Sequence, residues 1–351
     1  MELGSEFEVD ISSLKKIEDS IFEYLKDFNC VYLDSGRSAT RFINHNLKLR
    51  KILLPSYICE SVISIYKSEF QVEFYQVTKD FQIDLADLNN KINQSVDAIY
   101  LMHYFGQVQN SNVLRLLDDK RKKYGFIIIE DTTHSIFTNK HTIGDYCVCS
   151  LRKWFPIPDG GVAYSKNILK KQTLKSELIP IKFEAMIMKN LYLHKKLSCK
   201  SLYRQIFHQA EQKLDEQTEI HSISKISEIL LLSYSINDLK EHRKKNLSYV
   251  KSQISKIPLI PVFKETSQDF TPLTFPIFVD NRDSFKKFLI DNKIYCAVHW
   301  PLEDIRLKRN PTSLEISNKI ISIPIDQRYG KEDMDYLVNL IKKYYAQEGA
   351  K

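Results

Sequence analysis

The chain has no apolar stretch long enough to cross a bilayer, which argues against a membrane span. It opens on no basic-then-apolar leader, so export is not expected and a cytoplasmic location is. Its six cysteines, Cys30, Cys59, Cys147, Cys149, Cys199 and Cys296, show no C-x-x-C spacing of the metal-binding kind. A disulfide framework is not expected in so long a chain without a leader, which leaves reduced and mostly buried thiols and no metal centre. The Walker lysine motif and the full dinucleotide glycine pattern are missing. So are internal repeats, low-complexity tracts and long linkers. Residues Met1 to Phe7 read as a cloning scar and are set aside from the fold.

What is present suits a soluble α/β protein. The 351 residues, 43% hydrophobic, suffice for one large core and a smaller lobe. The net charge of +7 owes much to the segment between Lys166 and Lys213. A nucleic-acid surface, attraction of an anionic small substrate and a solvated helical face each account for such an excess. The solvated face is the simplest, and neither a nucleic-acid nor a membrane partner is expected.

Asp10 to Asp27 reads as an amphipathic helix, with Ile11, Leu14, Ile17, Ile21, Phe22 and Leu25 near a helical period. Val31-Tyr32-Leu33, Ile52-Leu53-Leu54 before Pro55, Val72 to Tyr75, Ala98 to Met102 and Phe126 to Ile129 read as strands. The continuously apolar ones suit a parallel sheet covered on both faces. Asn112 to Tyr124 is helical in pattern, and the alternation argues for an α/β sheet. Gly160-Gly161 opens another strand, and residues 165 to about 250 are mainly helical. Leu273 to Val279, Asp283 to Asp291 and Tyr295 to Val298 form a strand–helix–strand set, and Lys331 to Tyr345 closes the chain as a helix. A large domain over 8–250 with a helical extension, then a small α/β domain over 251–351, is the expected division.

Three segments place polar groups where an open α/β sheet binds ligands, beyond the carboxyl ends of its strands. Asp131 follows an apolar strand and suits a cationic ring nitrogen or a helix cap; His134 lies three residues on. Lys153 stands between a strand and an aromatic, proline and double-glycine loop, Trp154 to Gly161. Desolvation favours the free amine of a lysine set in a cleft, the form that attacks an aldehyde. The small turn Ser35-Gly36-Arg37-Ser38-Ala39 enters a helix and suits either a phosphate or an ordinary cap.

Together these segments resemble the DegT-type sugar aminotransferases. Ser35-Gly36-Arg37-Ser38-Ala39, Leu53-Leu54-Pro55-Ser56-Tyr57, His103-Tyr104-Phe105-Gly106-Gln107, Glu130 to His134, Gly144-Asp145, Ser150 to Gly161, His299-Trp300-Pro301-Leu302 and Ile323-Pro324-Ile325 follow the family's motifs in order. The resemblance implies a three-layer, fold-type-I pyridoxal-phosphate-dependent transferase domain with a mostly parallel sheet, plus a small C-terminal α/β domain. It implies that Lys153 carries pyridoxal 5'-phosphate as a Schiff base and moves the proton, that Asp131 pairs with the pyridine nitrogen, and that His134 sits near the ring. Gly36, Arg37, Ser38 and Ser150 would bind the phosphate. Ser150 stands closer to Lys153 than in the family, which leaves Arg152 to share that role. Cys59 occupies the usual place of a stacking aromatic, which leaves Tyr57 to replace it. His299 and His103 would lie on the substrate side. The family's N-x-R-x-x-E segment is not recognisable around Ser222 to Glu228.

The implied function is amino-group transfer, from glutamate, to a nucleotide-linked keto sugar in surface polysaccharide biosynthesis, by a homodimer with shared active sites. Another pyridoxal-phosphate-dependent sugar modification and a non-catalytic scaffold are the alternatives. The dehydratases that resemble this family replace the lysine by histidine, and Lys153 argues against them.

Overall fold

The computed structural model describes residues 2–12, 14–169, 179–255, 257, 259–263 and 269–348. Part of the helical stretch expected after 165, residues 170–178, lies outside the described residues.

Seven strands form the large sheet: β2 (Asn29–Leu33), β3 (Lys51–Pro55), β4 (Gln71–Tyr75), β5 (Ala98–Met102), β6 (Ile127–Asp131), β7 (Tyr146–Cys149) and β8 (Gly161–Ser165). Their order is β2-β8-β7-β6-β5-β3-β4. The pairs from β7 through β6, β5 and β3 to β4 are parallel. β8 runs antiparallel to both β7 and β2. The mostly parallel sheet expected from the continuous apolar runs is therefore present, and β5 is buried along its whole length because helices cover both faces of such a sheet.

Capping sets the helix boundaries. In α2 (Gly36–His45) the Ser35 side chain accepts from the Ser38 amide. In α5 (Ser111–Tyr124) Asn110 caps the start, and Gly125 closes the end at φ 76°, a left-handed geometry that glycine adopts without strain. α3 (Glu60–Lys67) and α4 (Leu85–Lys91) complete the early crossovers. α6 (Ile179–Leu193), α7 (Lys200–Glu216) and α8 (Lys225–Leu231) form the helical extension, and side chains from all three join those of β7 and β8 in one apolar cluster.

α9 (Ile236–Ile254) bridges to the C-terminal lobe. Its Leu247, Val250 and Ile254 belong to that lobe's core, so position 250 falls inside a helix shared by both parts. The lobe carries an antiparallel sheet of β9 (Ile260–Pro261), β10 (Phe275–Phe278) and β12 (Ile320–Ile323). α10 (Arg282–Asp291), α11 (Ile305–Lys308), α12 (Pro311–Lys319) and α13 (Lys331–Glu348) accompany it. The strand read over Tyr295 to Val298 is only β11 (Ile294–Tyr295).

Two sequence readings are corrected. Among the described residues of Asp10 to Asp27, only α1 (Ile21–Tyr24) is helical. Ile11 and Leu14 are exposed, and the Ile17 amide bonds to Leu232 O instead of to its own turn; two of the six apolar positions find no surface to cover. Residues 2–7, set aside on sequence, take part in the fold. β1 (Leu3–Gly4) pairs with β11, Leu3 is fully buried, and the Tyr329 hydroxyl accepts from the Gly4 amide at 2.7 Å. The basic segment helps hold this strap: Lys189 lies 3.1 Å from Glu8 and Lys200 2.7 Å from Glu2. Part of the charge excess is thus spent inside the molecule, not on a solvated face.

Candidate active site

Because β2, β6 and β7 share one direction, their carboxyl ends and the start of β8 meet at one edge of the sheet. This brings the three polar segments together. A cavity of about 170 Å³ there is lined by Gly36, Arg37, Asp131, Thr133, Ser150, Arg152 and Lys153, with Cys59 and Tyr100 among its other walls.

Asp131 is the last residue of β6 and is buried. Its carboxylate accepts from the Tyr100 hydroxyl at 2.9 Å and from the Thr133 amide at 2.8 Å. Burial and then the Asp131 charge push the Tyr100 phenol far above its ordinary range, so it stays a donor. Lys153 ends the short 3₁₀ turn Leu151–Lys153 after β7. Its Nζ lies 3.1 Å from His134 Nε2 and 5.7 Å from the centre of the Trp300 ring. His134 is fully buried and accepts from the Phe105 amide at Nδ1, 3.3 Å away. Trp300 stacks on it, centroids 5.4 Å apart and planes 23° apart. Burial first, then the charges of Lys153 and His299, push His134 well below 6.5, so the ring is neutral at neutral pH.

The start of α2 is built for close approach. A Cβ on Gly161 would lie 2.2 Å from Ser35 O, and one on Gly36 2.9 Å from Ser150 Cβ. The first amides of a helix have no acceptor within it, and Ser35 caps only that of Ser38.

Some expected site residues are placed elsewhere. Ser38 is buried and hydrogen-bonded to Ser35 and Gln217, outside the cavity lining. Arg37 and Arg152 line the cavity but are held by Asp215 and Glu211. Tyr57 is sealed in the core. Its hydroxyl donates to His299 O at 2.6 Å and accepts from the Trp300 amide at 2.7 Å, so it supports Trp300 from behind and does not face the cavity. His103 is also sealed, 3.1 Å from Glu130 Oε1, and takes no part in a substrate surface. Burial works against the Glu130 charge, but His103 and the amides of Gly144 and Thr142 outweigh it and hold the carboxyl at about 2.

His299 lines a second, larger cavity of about 380 Å³ that shares Arg152 and Lys153 with the first. Its Nδ1 lies 2.8 Å from Ser322 Oγ. Burial, then the Lys153 charge, push it down to about 3. The strap residues Gly4 to Phe7 and the guanidinium groups of Arg152, Arg243 and Arg328 line the same cavity. Sequence reasoning missed Tyr100, Trp300 and Arg243. A signal existed for Trp300, one of two tryptophans and the neighbour of a candidate histidine; Arg243 sits in a basic helical run that marks nothing out.

Residues 7–154 match the DegT/DnrJ/EryC1/StrS aminotransferase family. The chain is 24% identical over 283 residues to a dTDP-3-amino-3,6-dideoxy-alpha-D-galactopyranose transaminase of Aneurinibacillus thermoaerophilus, covering 75% of this chain and 70% of that protein. In fold it is similar to the Helicobacter pylori aminotransferase PseC of pseudoaminic acid biosynthesis, with a TM-score of 0.69 at 15% identity over 99% of this chain and 100% of that one. A Streptococcus pneumoniae sugar aminotransferase in its PLP-form has a TM-score of 0.64 at 16% identity, over 96% and 94%. No helix among the described residues is long and apolar enough to cross a membrane.

Proposed function

We propose, for a chain whose residues 7–154 match the DegT/DnrJ/EryC1/StrS aminotransferase family, that it is a pyridoxal-phosphate-dependent transaminase. It moves an amino group from glutamate to the keto carbon of a nucleotide-linked sugar destined for surface polysaccharide. It works in the cytoplasm as a homodimer with shared active sites. The nucleotide-linked amino sugar in the relative's name supports the substrate class.

The observation that carries this reading is Lys153. Its amine touches a neutral, buried histidine, and the residue lines two cavities at once. The residues of the smaller cavity fit the cofactor. Gly36 and Gly161 leave room beside the open amides of α2 for a phosphate, and Asp131 supplies a carboxylate for a ring nitrogen. Once bound, pyridoxal phosphate supplies an electron sink for a carbon losing a proton.

The protein's own part is positional and protic. Tyr100 and Thr133 fix the Asp131 carboxylate. Trp300, stacked on His134, and Phe105, tilted against it, with ring centres 5.4 and 5.1 Å away, enclose the imidazole and keep water from it. Lys153 Nζ, the only amine lining both cavities among the described residues, takes and returns the proton at the reacting carbon. His299 faces the incoming substrate as a neutral group.

The test is the visible spectrum of the protein with pyridoxal phosphate, before and after L-glutamate, for the wild type and Lys153→Ala. The expected result is a Schiff-base band in the wild type that glutamate bleaches and that the variant does not form in the same way. No band in the wild type would overturn the reading. A band that glutamate leaves untouched would overturn glutamate as the donor.

A further inference from the structure

A buried cation without an anion is costly, and the larger cavity holds one that finds no anion among the described residues. Of its three guanidinium groups, two are neutralised within the chain. Arg152 Nη1 lies 2.9 Å from Glu211. Arg328 donates to both oxygens of Asp326, at 2.8 and 2.9 Å, and to Glu8 at 3.2 Å. Arg243 is 1% exposed and forms no ion pair with any described residue. Asp326, the acid nearest in effect, has both oxygens committed to Arg328.

Arg243 is nevertheless held firmly. Nε donates to Gln327 Oε1 at 2.8 Å, and Nη1 to the carbonyls of Pro272 and Leu273 at 3.3 and 2.5 Å. The guanidinium lies 4.6 Å over the Trp154 ring. The donors on Nη2 meet no acceptor among the described residues. Gln327, which orients Arg243, also donates to Trp154 O at 2.6 Å. Trp154 follows Lys153 in the chain, so one clamp sets the guanidinium relative to the reactive amine.

We infer that Arg243, through Nη2, receives the carboxylate of the amino-acid donor in this cavity. The inference rests on the transaminase reading. An amino acid bears its carboxylate on the same carbon as the reacting nitrogen, so a donor engaged at Lys153 must place that anion close by. The phosphates of a nucleotide-linked sugar are separated from its keto carbon by the sugar ring. A planar guanidinium also suits a carboxylate better than an ammonium does.

The experiment is calorimetric titration of the cofactor-loaded protein with glutarate, an unreactive dicarboxylate, and separately with pyrophosphate, for the wild type, Arg243→Met and Arg243→Lys. The expected result is a loss of glutarate affinity on the order of 100-fold in Arg243→Met, a smaller loss in Arg243→Lys, and unchanged pyrophosphate binding. Glutarate binding that survives in Arg243→Met, or a loss confined to pyrophosphate, overturns the inference. If Arg243→Met does not fold, Arg243→Lys decides through the L-glutamate concentration that half-bleaches the cofactor band. A rise of about tenfold or more with normal bleaching at saturation supports the inference, and a value within about twofold of wild type overturns it. A wild type without a cofactor band sinks the transaminase reading separately, because glutarate titration of that sample still reads Arg243.

Discussion

Asp131 shows what a single side chain can be asked to do here. It is buried, ends its strand, and is gripped by one hydroxyl and one amide. Asp131→Asn keeps the shape and removes the charge, so turnover should fall by about 100-fold or more while the melting temperature moves little. Steady-state rates beside thermal melts check this, and equal activity would remove the residue from the chemistry. His103 teaches the opposite lesson. It belongs to a family-like motif, yet its ring closes on Glu130 inside the core. Which way a side chain faces depends on strand register against a neighbour, and Glu130 stands nearly thirty residues later. That pairing is not written in the local sequence.

At the scale of elements, the start of α2 and the start of β8 pack closely beside the smaller cavity. A Cβ at position 161 would collide with the Ser35 carbonyl, so Gly161→Ala must push the helix away from the sheet. The expected cost is about 1–3 kcal/mol of stability, with weaker cofactor retention than in the wild type. Denaturant melts and equilibrium dialysis of the cofactor would show it, and unchanged retention would contradict the phosphate cradle. The strap is the other informative element. Leu3 is fully buried between β11 and the C-terminal core, so Leu3→Ala should cost about 2–5 kcal/mol. A melting curve identical to wild type would show that β1 is not part of the cooperative fold. On sequence the strap was dismissed and Asp10 to Asp27 was read as a helix. Both errors have one cause: periodicity and composition describe a segment alone, whereas burial depends on which surface lies opposite.

For the whole molecule, the buried, neutral His134 and His299 set a pH dependence. Folded, His299 takes up a proton only near pH 3 and His134 well below 6.5, whereas unfolded both would do so near 6.5. Acidification from about 6.5 toward 3 therefore loads protons onto the unfolded chain first and lowers stability; above that window these groups add no slope. Glu130, held at about 2 against an ordinary 4.5, adds a further loss below 4.5. Melting temperatures across a pH series should fall through this range, and His299→Asn should flatten the upper part of the slope. A curve of unchanged slope in that variant would mean the buried imidazole does not carry the effect. The sequence by itself determined the strands, the parallel sheet and the Ser35 turn, Asp131 and Lys153 segments, because apolar runs, caps and short motifs are local properties. Only the tertiary structure decided that Tyr57 supports Trp300 from behind, that residues 4–7 wall the larger cavity, and that Arg243 is left without a carboxylate among the described residues. Those facts depend on what distant segments bring to the same point, and on which charges have already found partners there.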